Sequence, residues 1–496
     1  MIESANFMLD DSDVTALRNA ISHLASIGYC ETRVCERLGL STLTELSWRA
    51  LPIYREEQLL VHDALDTAID LFFLQGTIST DELKQLFDDI NRDVLIRAGL
   101  LFIDEKKCFA RATLFPVGDQ LVFSDHAWPK LPHPGCVNVP YDQVMYIGAD
   151  SRWLAQTTVR HPMGSTLDLC TGSGVHALLA SSHSQRVIAV DINPRATRCT
   201  HFNAKISGAN NIEIAVGDLF EPIGEEYFDL ITANPPFVPS PVNSLRYRDG
   251  GHSGEDVLSR IVVGLPQHLA PGGIAQIITE LGERKDEPLS DRLRVWLNGA
   301  PMDILILRLR EHSSTSFAIS HADGDDDYTA FLNSVHDWSN NLRKQGYTKI
   351  VSVILSFQWS DPTLGPPWTH IEESQPPHSN ASTEVEAIFS AERMARQPNL
   401  YGMLERSQMR RAGPIGLMEA GVLGSELYSK VQAQLLGKAL SIFKWLNPVE
   451  QEVLMLMEKP LVLPELLALT SKLKLPEESV LAAVISLIRN RFIILA

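Results

Sequence analysis

The chain has 496 residues, enough length for about three domains that each bury a core of their own. Its 45% hydrophobic and 21% charged residues are those of an ordinary globular protein, and no run approaches the ~20 apolar residues of a membrane span. The net charge of −18 disfavours a partner held through phosphate contacts, although a local basic patch assembled in three dimensions stays open. The acidic start MIESANFMLDDSDV has no signal-peptide core, and Cys30, Cys35, Cys108, Cys136, Cys170 and Cys199 show neither CxxC pairs nor neighbouring histidines. A cytoplasmic protein with no membrane partner, disulfide framework or metal is therefore expected.

Residues 1–135 open with helical spacing at Leu17, Ile21, Leu24 and Ile27, and again at Ala64, Ala68, Ile69, Leu71 and Phe72. Ser79 or Thr80 is placed to cap a helix DELKQLF, and another helix is expected around Val94–Ala98. Two strand-like runs follow, CFARATLFPV and QLVFSD, joined at Gly118-Asp119. Helix, helix, hairpin is the order of a winged helix, which is the expectation for this flank.

Residues 140–358 alternate β-rich and helical stretches, the pattern of a mostly parallel sheet covered on both faces. Seven strands are predicted: 166–169, 186–190, 212–216, 228–233, 274–279, 302–309 and 350–357, the last two separated by an acidic loop (Asp323 to Asp327) and one helix. That loop, with Asp323, Asp325, Asp326 and Asp327, reads as solvated. Residues 359–384 are rich in Pro, Ser and charge and read as a linker or exposed loop. Residues 386–496 read as helical, ending in helix, turn, helix and strand, with Pro476, Glu477 and Glu478 opening the last helix; a second winged-helix-like unit is expected. The run VLMLMEKPLVLPELLAL is core or a dimer contact, so an oligomer stays open.

Four predicted strand ends carry the chemistry. The first runs Asp168-Leu169-Cys170-Thr171-Gly172-Ser173-Gly174 into a helix, where glycines let a ligand approach the backbone and the helix start offers free N–H groups. Gly172, Gly174 and Ala177 also fit a G-x-G-x-x-A spacing, which leaves a dinucleotide open. The second strand ends in Asp191-Ile192, about twenty residues on, where a carboxylate suits two ribose hydroxyls; a cap for the helix at Pro194 is the alternative. The third ends in Gly217-Asp218-Leu219, an acceptor for an adenine amino group beside an apolar side chain, or a surface turn. The fourth enters Asn234-Pro235-Pro236-Phe237, in which two prolines stiffen the loop and remove backbone donors. His176 and His252 read as packing or surface residues.

The series DLCTGSG, VIAVD, GDLF and NPPF resembles the class I S-adenosylmethionine-dependent methyltransferases, and within them the release-factor glutamine methyltransferase-like, or methyltransferase small domain, group. The likeness covers about residues 140–285 and extends to GADSRWL at 148–154, to Tyr247-Arg248-Asp249-Gly250-Gly251 and to Leu269-Ala270-Pro271-Gly272-Gly273. It implies a seven-stranded, Rossmann-like α/β sheet flanked by mostly helical, winged-helix-like domains. It also implies S-adenosyl-L-methionine as cofactor, held by Asp168, Cys170, Thr171, Gly172, Ser173, Gly174, Asp191, Ile192, Asp218, Leu219 and Asn234. Asn234, Pro235 and Phe237 would be catalytic, and Asn234, Pro235, Pro236, Phe237 and Tyr247 would bind substrate. The implied reaction is N-methylation of a planar amide or amino group on a protein side chain or small molecule. The flanks do not match the release-factor enzymes, so the alternatives are an rRNA guanine methyltransferase, a small-molecule methyltransferase of secondary metabolism, and a non-enzymatic winged-helix regulator that an intact NPPF argues against.

Overall fold

Aliphatic and β-branched runs flanked by turn residues become the strands of one large mixed sheet in this computed structural model, which describes residues 2–127, 137–138, 142–242, 245–323, 327–420, 430–440 and 442–495. In chain order they are β1 (Met163–Leu169), β2 (Ser184–Asp191), β3 (Ile212–Val216), β4 (Phe228–Ala233), β5 (Leu269–Arg284), β6 (Met302–Ser313), β7 (Tyr347–Trp359) and β8 (Thr369–Glu373). They lie side by side as β3-β2-β1-β4-β5-β7-β6-β8. The pairs β1–β2, β2–β3, β1–β4 and β4–β5 are parallel. Chain order reverses between β1 and β4, the switch point of a doubly wound sheet, and a crevice opens there beyond the carboxyl ends of the strands.

The sheet therefore has eight strands where seven were expected. The extra one comes from the stretch read as a linker: β8 pairs parallel with β6, from Thr369 opposite Ile304 to Glu373 opposite Arg308. Its run, THIEE, is short and charged between proline-rich segments, so period and composition concealed it. The connection from β6 to β7 likewise holds two helices, Ser314–His321 and Tyr328–Lys344, instead of one. Asp327 caps the second, accepting from the N–H groups of Thr329 and Ala330, while Asp325 and Asp326 lie outside the described residues.

The helices that position the site are α1 (Ala149–Thr157), α2 (Val175–Ser181), α3 (Pro194–Ser207) and α4 (Asp256–His268). Asn193 caps α3 and Gly208, at φ 82°, ends it.

The chain divides into two compact units: residues 1–155 with 160–300 and 311–352, and residues 156–159 with 301–310 and 353–496. In the first, the N-terminal flank shares its core with the sheet's own helix. Leu17, Leu24, Phe72, Phe115 and Phe123 belong to one buried cluster with Cys199 and Phe202 of α3. Thr113–Val117 and Gln120–Ser124 form the expected antiparallel hairpin across Gly118-Asp119. The run CFARATLFPV is two strands, however; Lys107–Ala110 pairs instead with Leu101–Asp104 and Thr77–Ser79. Ser79 and Glu82 form a capping box at the start of Thr80–Leu86.

In the second unit the expected helices Pro448–Leu456, Leu463–Lys472 and Glu477–Arg489 form. A three-stranded antiparallel sheet, Ile415–Ala420, Lys430–Leu435 and Ile442–Leu446, stands where helix was expected. Its middle strand, KVQAQL, buries Val431, Ala433 and Leu435 at period two, a signal that the helical neighbours masked. Among the described residues no helix is long and apolar enough to cross a membrane.

Candidate active site

The turn after β1 is shaped from below by Asp168. Its buried carboxylate accepts from Thr171 Oγ1 (2.6 Å), Thr232 Oγ1 (2.8 Å) and the Ala177 N–H (3.2 Å), and so ties β1, β4 and α2 together. Burial pushes its carboxyl up to about 6 against these three bonds. Cys170 and Gly172 both take φ 56°, and a Cβ on Gly174 would stand 2.7 Å from Thr200 Cγ2.

The β2 end is held by the same turn. Asp191 Oδ2 accepts from the Gly172 N–H (2.9 Å) and Oδ1 from the Asn193 N–H (2.8 Å). Burial raises its carboxyl, while these N–H groups and the Arg246 guanidinium pull it back. The capping of α3, the alternative use for Asp191, is done by Asn193, which accepts from the Arg195 N–H (2.9 Å). At the β3 end Asp218 pairs with Arg260 of α4 (2.8 Å), and the buried Leu219 takes φ 54°.

At the β4 end Asn234 Nδ2 donates to Asp150 Oδ2 (2.9 Å) and Ser151 Oγ (3.1 Å) of α1. The amide nitrogen is the atom facing Asp150; burial raises that carboxyl, and the bond from Asn234 together with backbone N–H groups pulls it back. Asn234 Oδ1 is then shielded from solvent without a hydrogen-bond partner. The glycines beyond the loop let it pack on its own backbone. A Cβ on Gly250 would lie 2.6 Å from the Pro236 carbonyl oxygen, and one on Gly254 2.3 Å from that of Phe237. Asn341 donates to the backbone carbonyls of Pro239 (3.0 Å) and His252 (2.9 Å), and the His252 ring Nδ1 lies 3.2 Å from the Ser240 carbonyl oxygen.

These strand ends border one cavity of about 350 Å³, within the range of roughly 300–1,000 Å³ usual for small-molecule sites. The first turn contributes Cys170, Thr171, Gly172 and Ser173; the second, Asp191 and Ile192; the third, Asp218 and Leu219; the fourth, Asn234 and Pro236. Tyr247 also lines it. Four predicted residues are not brought there. Asp168 lies under the turn, Gly174 caps α2, and Pro235 is buried. Phe237, expected to stack on a flat target, packs against the cluster of Phe317, Trp338 and Leu342, because that apolar surface offers its ring a better-covered place.

Sequence reasoning missed other lining residues: the 143–147 segment, Ser151, His176, Arg246 and Arg260. Ser151 lay inside GADSRWL and Arg246 beside Tyr247, so adjacency was the available signal. His176 is buried as expected but also lines the cavity; burial lowers it to about 4, and its Nε2 has no partner.

Comparison with known proteins bears on this arrangement. A family model described as methyltransferase small domain matches residues 146–294, a span that contains all four strand ends. A ribosomal protein uL3 glutamine methyltransferase from Bradyrhizobium diazoefficiens is 30% identical over 268 residues, covering 49% of this chain and 77% of that protein. A release factor glutamine methyltransferase from Geobacter sulfurreducens is 36% identical over 132 residues, 24% of this chain and 45% of that one. A tRNA1(Val) (adenine(37)-N6)-methyltransferase from Porphyromonas gingivalis is 32% identical over 156 residues, 29% of this chain and 61% of that one. The chain thus belongs to the methyltransferase small domain family and is a class I S-adenosylmethionine-dependent methyltransferase.

Proposed function

We propose that this enzyme methylates the side-chain amide nitrogen of a glutamine in a cytoplasmic protein, with Asn234 as the group that receives the amide. The observation that carries the reading is the solvent-shielded, unpartnered Asn234 Oδ1 on a residue lining the cavity, whose amide nitrogen is already committed to Asp150 and Ser151. An orphaned acceptor of this kind is costly unless a ligand supplies a donor. A primary amide supplies two.

The cavity volume and its acceptors suit an adenosyl group. In this reading Asp191 receives the ribose hydroxyls, Asp218 and Leu219 border the adenine, and the turn at residues 170–173 lies against the amino-acid part. S-adenosylmethionine, when bound, supplies a methyl group that its sulfonium makes electrophilic. The hydrogen bonds that Asn234 Oδ1 accepts from the target N–H group draw the nitrogen lone pair out of conjugation with its carbonyl. They also aim it at the methyl, and such alignment is worth on the order of 7–11 kcal/mol. Asp168 and Gly174 shape the turn, and Tyr247 and Pro236 bound the acceptor side. Phe237 anchors the loop through its aromatic cluster. The methylated nitrogen loses its proton to water after transfer, so none of these residues must act as a base beforehand. The flanking segments, read as winged-helix-like, would present the protein substrate.

An exocyclic amino group of a nucleobase is the second reading, since it also donates N–H from a planar group and one relative is named for adenine. The net charge of −18 weighs against it. Tritiated-methyl transfer into cell lysate, fractionated into protein, RNA and small molecules, separates the two. Protein label mapped to glutamine is the expected result; label confined to RNA or to small molecules would overturn the proposal.

A further inference from the structure

The buried face of Asn234 has its own support. Asp150 stands in the first turn of α1, and its carboxylate accepts from Asn234 Nδ2 at 2.9 Å while Ser151 Oγ lies 3.1 Å from the same nitrogen. Asp150 is itself fixed. Backbone N–H groups at the start of α1 also reach its carboxylate, and the missing Cβ of Gly148 leaves it room, since a Cβ there would stand 2.6 Å from Oδ1. Ser151 is buried. The two partners come from a helix start 84 and 83 residues away from Asn234 in sequence.

An asparagine amide can turn over, exchanging an acceptor for a donor at the same place with little change in shape. Burial raises the Asp150 carboxyl, while Asn234 and the backbone N–H groups pull it back; in its ionised form it forbids the turned state, which would set two acceptors against each other. Resting on the reading of Asn234 given above, we infer that Asp150, assisted by Ser151, is the positioning residue that locks the Asn234 amide with its oxygen presented to the acceptor. The lock makes the site selective for groups that donate N–H. A glutamine amide fits it. A glutamate carboxylate in the same place would meet Oδ1 acceptor to acceptor and be rejected.

The variant that isolates the lock is Asp150→Asn, whose own amide can donate to Asn234 Oδ1 and so admits the turned state. In the full-length chain the expected result is cofactor affinity within threefold of wild type by calorimetry. Tritiated-methyl transfer into lysate protein should fall by roughly 10- to 100-fold, the size of losing a hydrogen bond to a charged partner. On an Asn234→Ala background the same substitution should cause no further loss, because the lock then has nothing to hold; a merely structural role would add its own loss. A peptide carrying the labelled glutamine and its glutamate counterpart gives a second readout. Asp150→Asn should bring the glutamate peptide's inhibition closer to the glutamine peptide's affinity.

If Asp150→Asn fails to bind cofactor, Ser151→Ala decides, with a smaller loss expected that again vanishes on the Asn234→Ala background. Full activity of Asp150→Asn in a chain whose Asn234→Ala variant has lost roughly 10²-fold in transfer overturns this inference alone. Full activity of Asn234→Ala overturns the underlying reading and the inference with it.

Discussion

Asp191 offers the sharpest test of the cofactor side. Each of its oxygens already accepts one backbone N–H, from Gly172 at 2.9 Å and Asn193 at 2.8 Å, which leaves one acceptor direction on each for a ribose hydroxyl. Asp191→Asn keeps the shape but gives one of those positions an NH2 group, which opposes a backbone donor and can no longer accept from a hydroxyl. A hydrogen bond to a charged acceptor contributes about 1.5–3 kcal/mol. Taking about 3 kcal/mol for the weakened pair of hydroxyls, at 1.4 kcal/mol per decade, the dissociation constant of S-adenosylmethionine should rise about 10²-fold. Calorimetry with the cofactor and with its 2′-deoxy and 3′-deoxy analogues is the assay. Wild type should lose affinity for the deoxy forms, and Asp191→Asn should discriminate much less between them. A variant that binds within threefold of wild type, or that loses as much as wild type on removal of a hydroxyl, would refute the assignment.

Three further outcomes follow from the geometry. Asn234→Ala should keep cofactor affinity and lose methyl transfer by roughly 10²-fold or more, the effect of removing a fixed hydrogen-bonding group from an active site; an active variant ends its role. Gly250→Ala puts a Cβ 2.6 Å from the Pro236 carbonyl oxygen, so it should cost about 1–3 kcal/mol by thermal unfolding and impair transfer more than cofactor binding. In the second unit burial lowers His370, but Glu372 and Glu392 outweigh it and raise the imidazole from 6.5 to about 9. Because the folded form holds the proton more tightly, its contribution is complete below pH 6.5 and is lost as pH rises through 9. At 1.36 kcal/mol per pH unit that is about 3 kcal/mol, so unfolding midpoints of wild type should fall over this interval while His370→Gln stays flat by comparison.

The legible part of the site is the part written in consecutive residues. A buried parallel strand that ends in a polar residue is conspicuous, and Asp191, Asp218 and Asn234 were each visible as the stop of an apolar run. Asp168 carries a similar signal one turn earlier but does not line the cavity. The residues that turn it inward, Thr171, Ala177 and Thr232, include one from a different strand, which a linear pattern cannot show. The partnership of Asp150 with Asn234 was hidden for the same reason: its two halves are separated by most of the sheet's first half. Phe237 misled because an aromatic side chain after Pro235-Pro236 looks free to stack, whereas Phe317 and Trp338, more than 75 residues on, give it cover. In the flanks, strands such as Thr369–Glu373 and Lys430–Leu435 sit among proline-rich or helical neighbours that hide their period.

Charge separates the sulfonium cofactor from the dinucleotide that the glycine spacing also suited. A pyrophosphate is normally received at a helix start by free N–H groups and the positive end of the helix dipole. At the start of α2 the Ala177 N–H already belongs to Asp168, so an internal carboxylate occupies the electrostatic position that a phosphate would take. With its carboxyl at about 6, Asp168 is mostly ionised at neutral pH. Among the charged lining residues Asp218 is paired with Arg260, Asp249 with Arg248, and Asp191 feels the Arg246 guanidinium. A pyrophosphate brought to this helix start would meet like charge from the buried acid beneath the turn. A sulfonium meets the opposite sign. The acid under the turn thus shapes the loop and sets its charge against the competing ligand class.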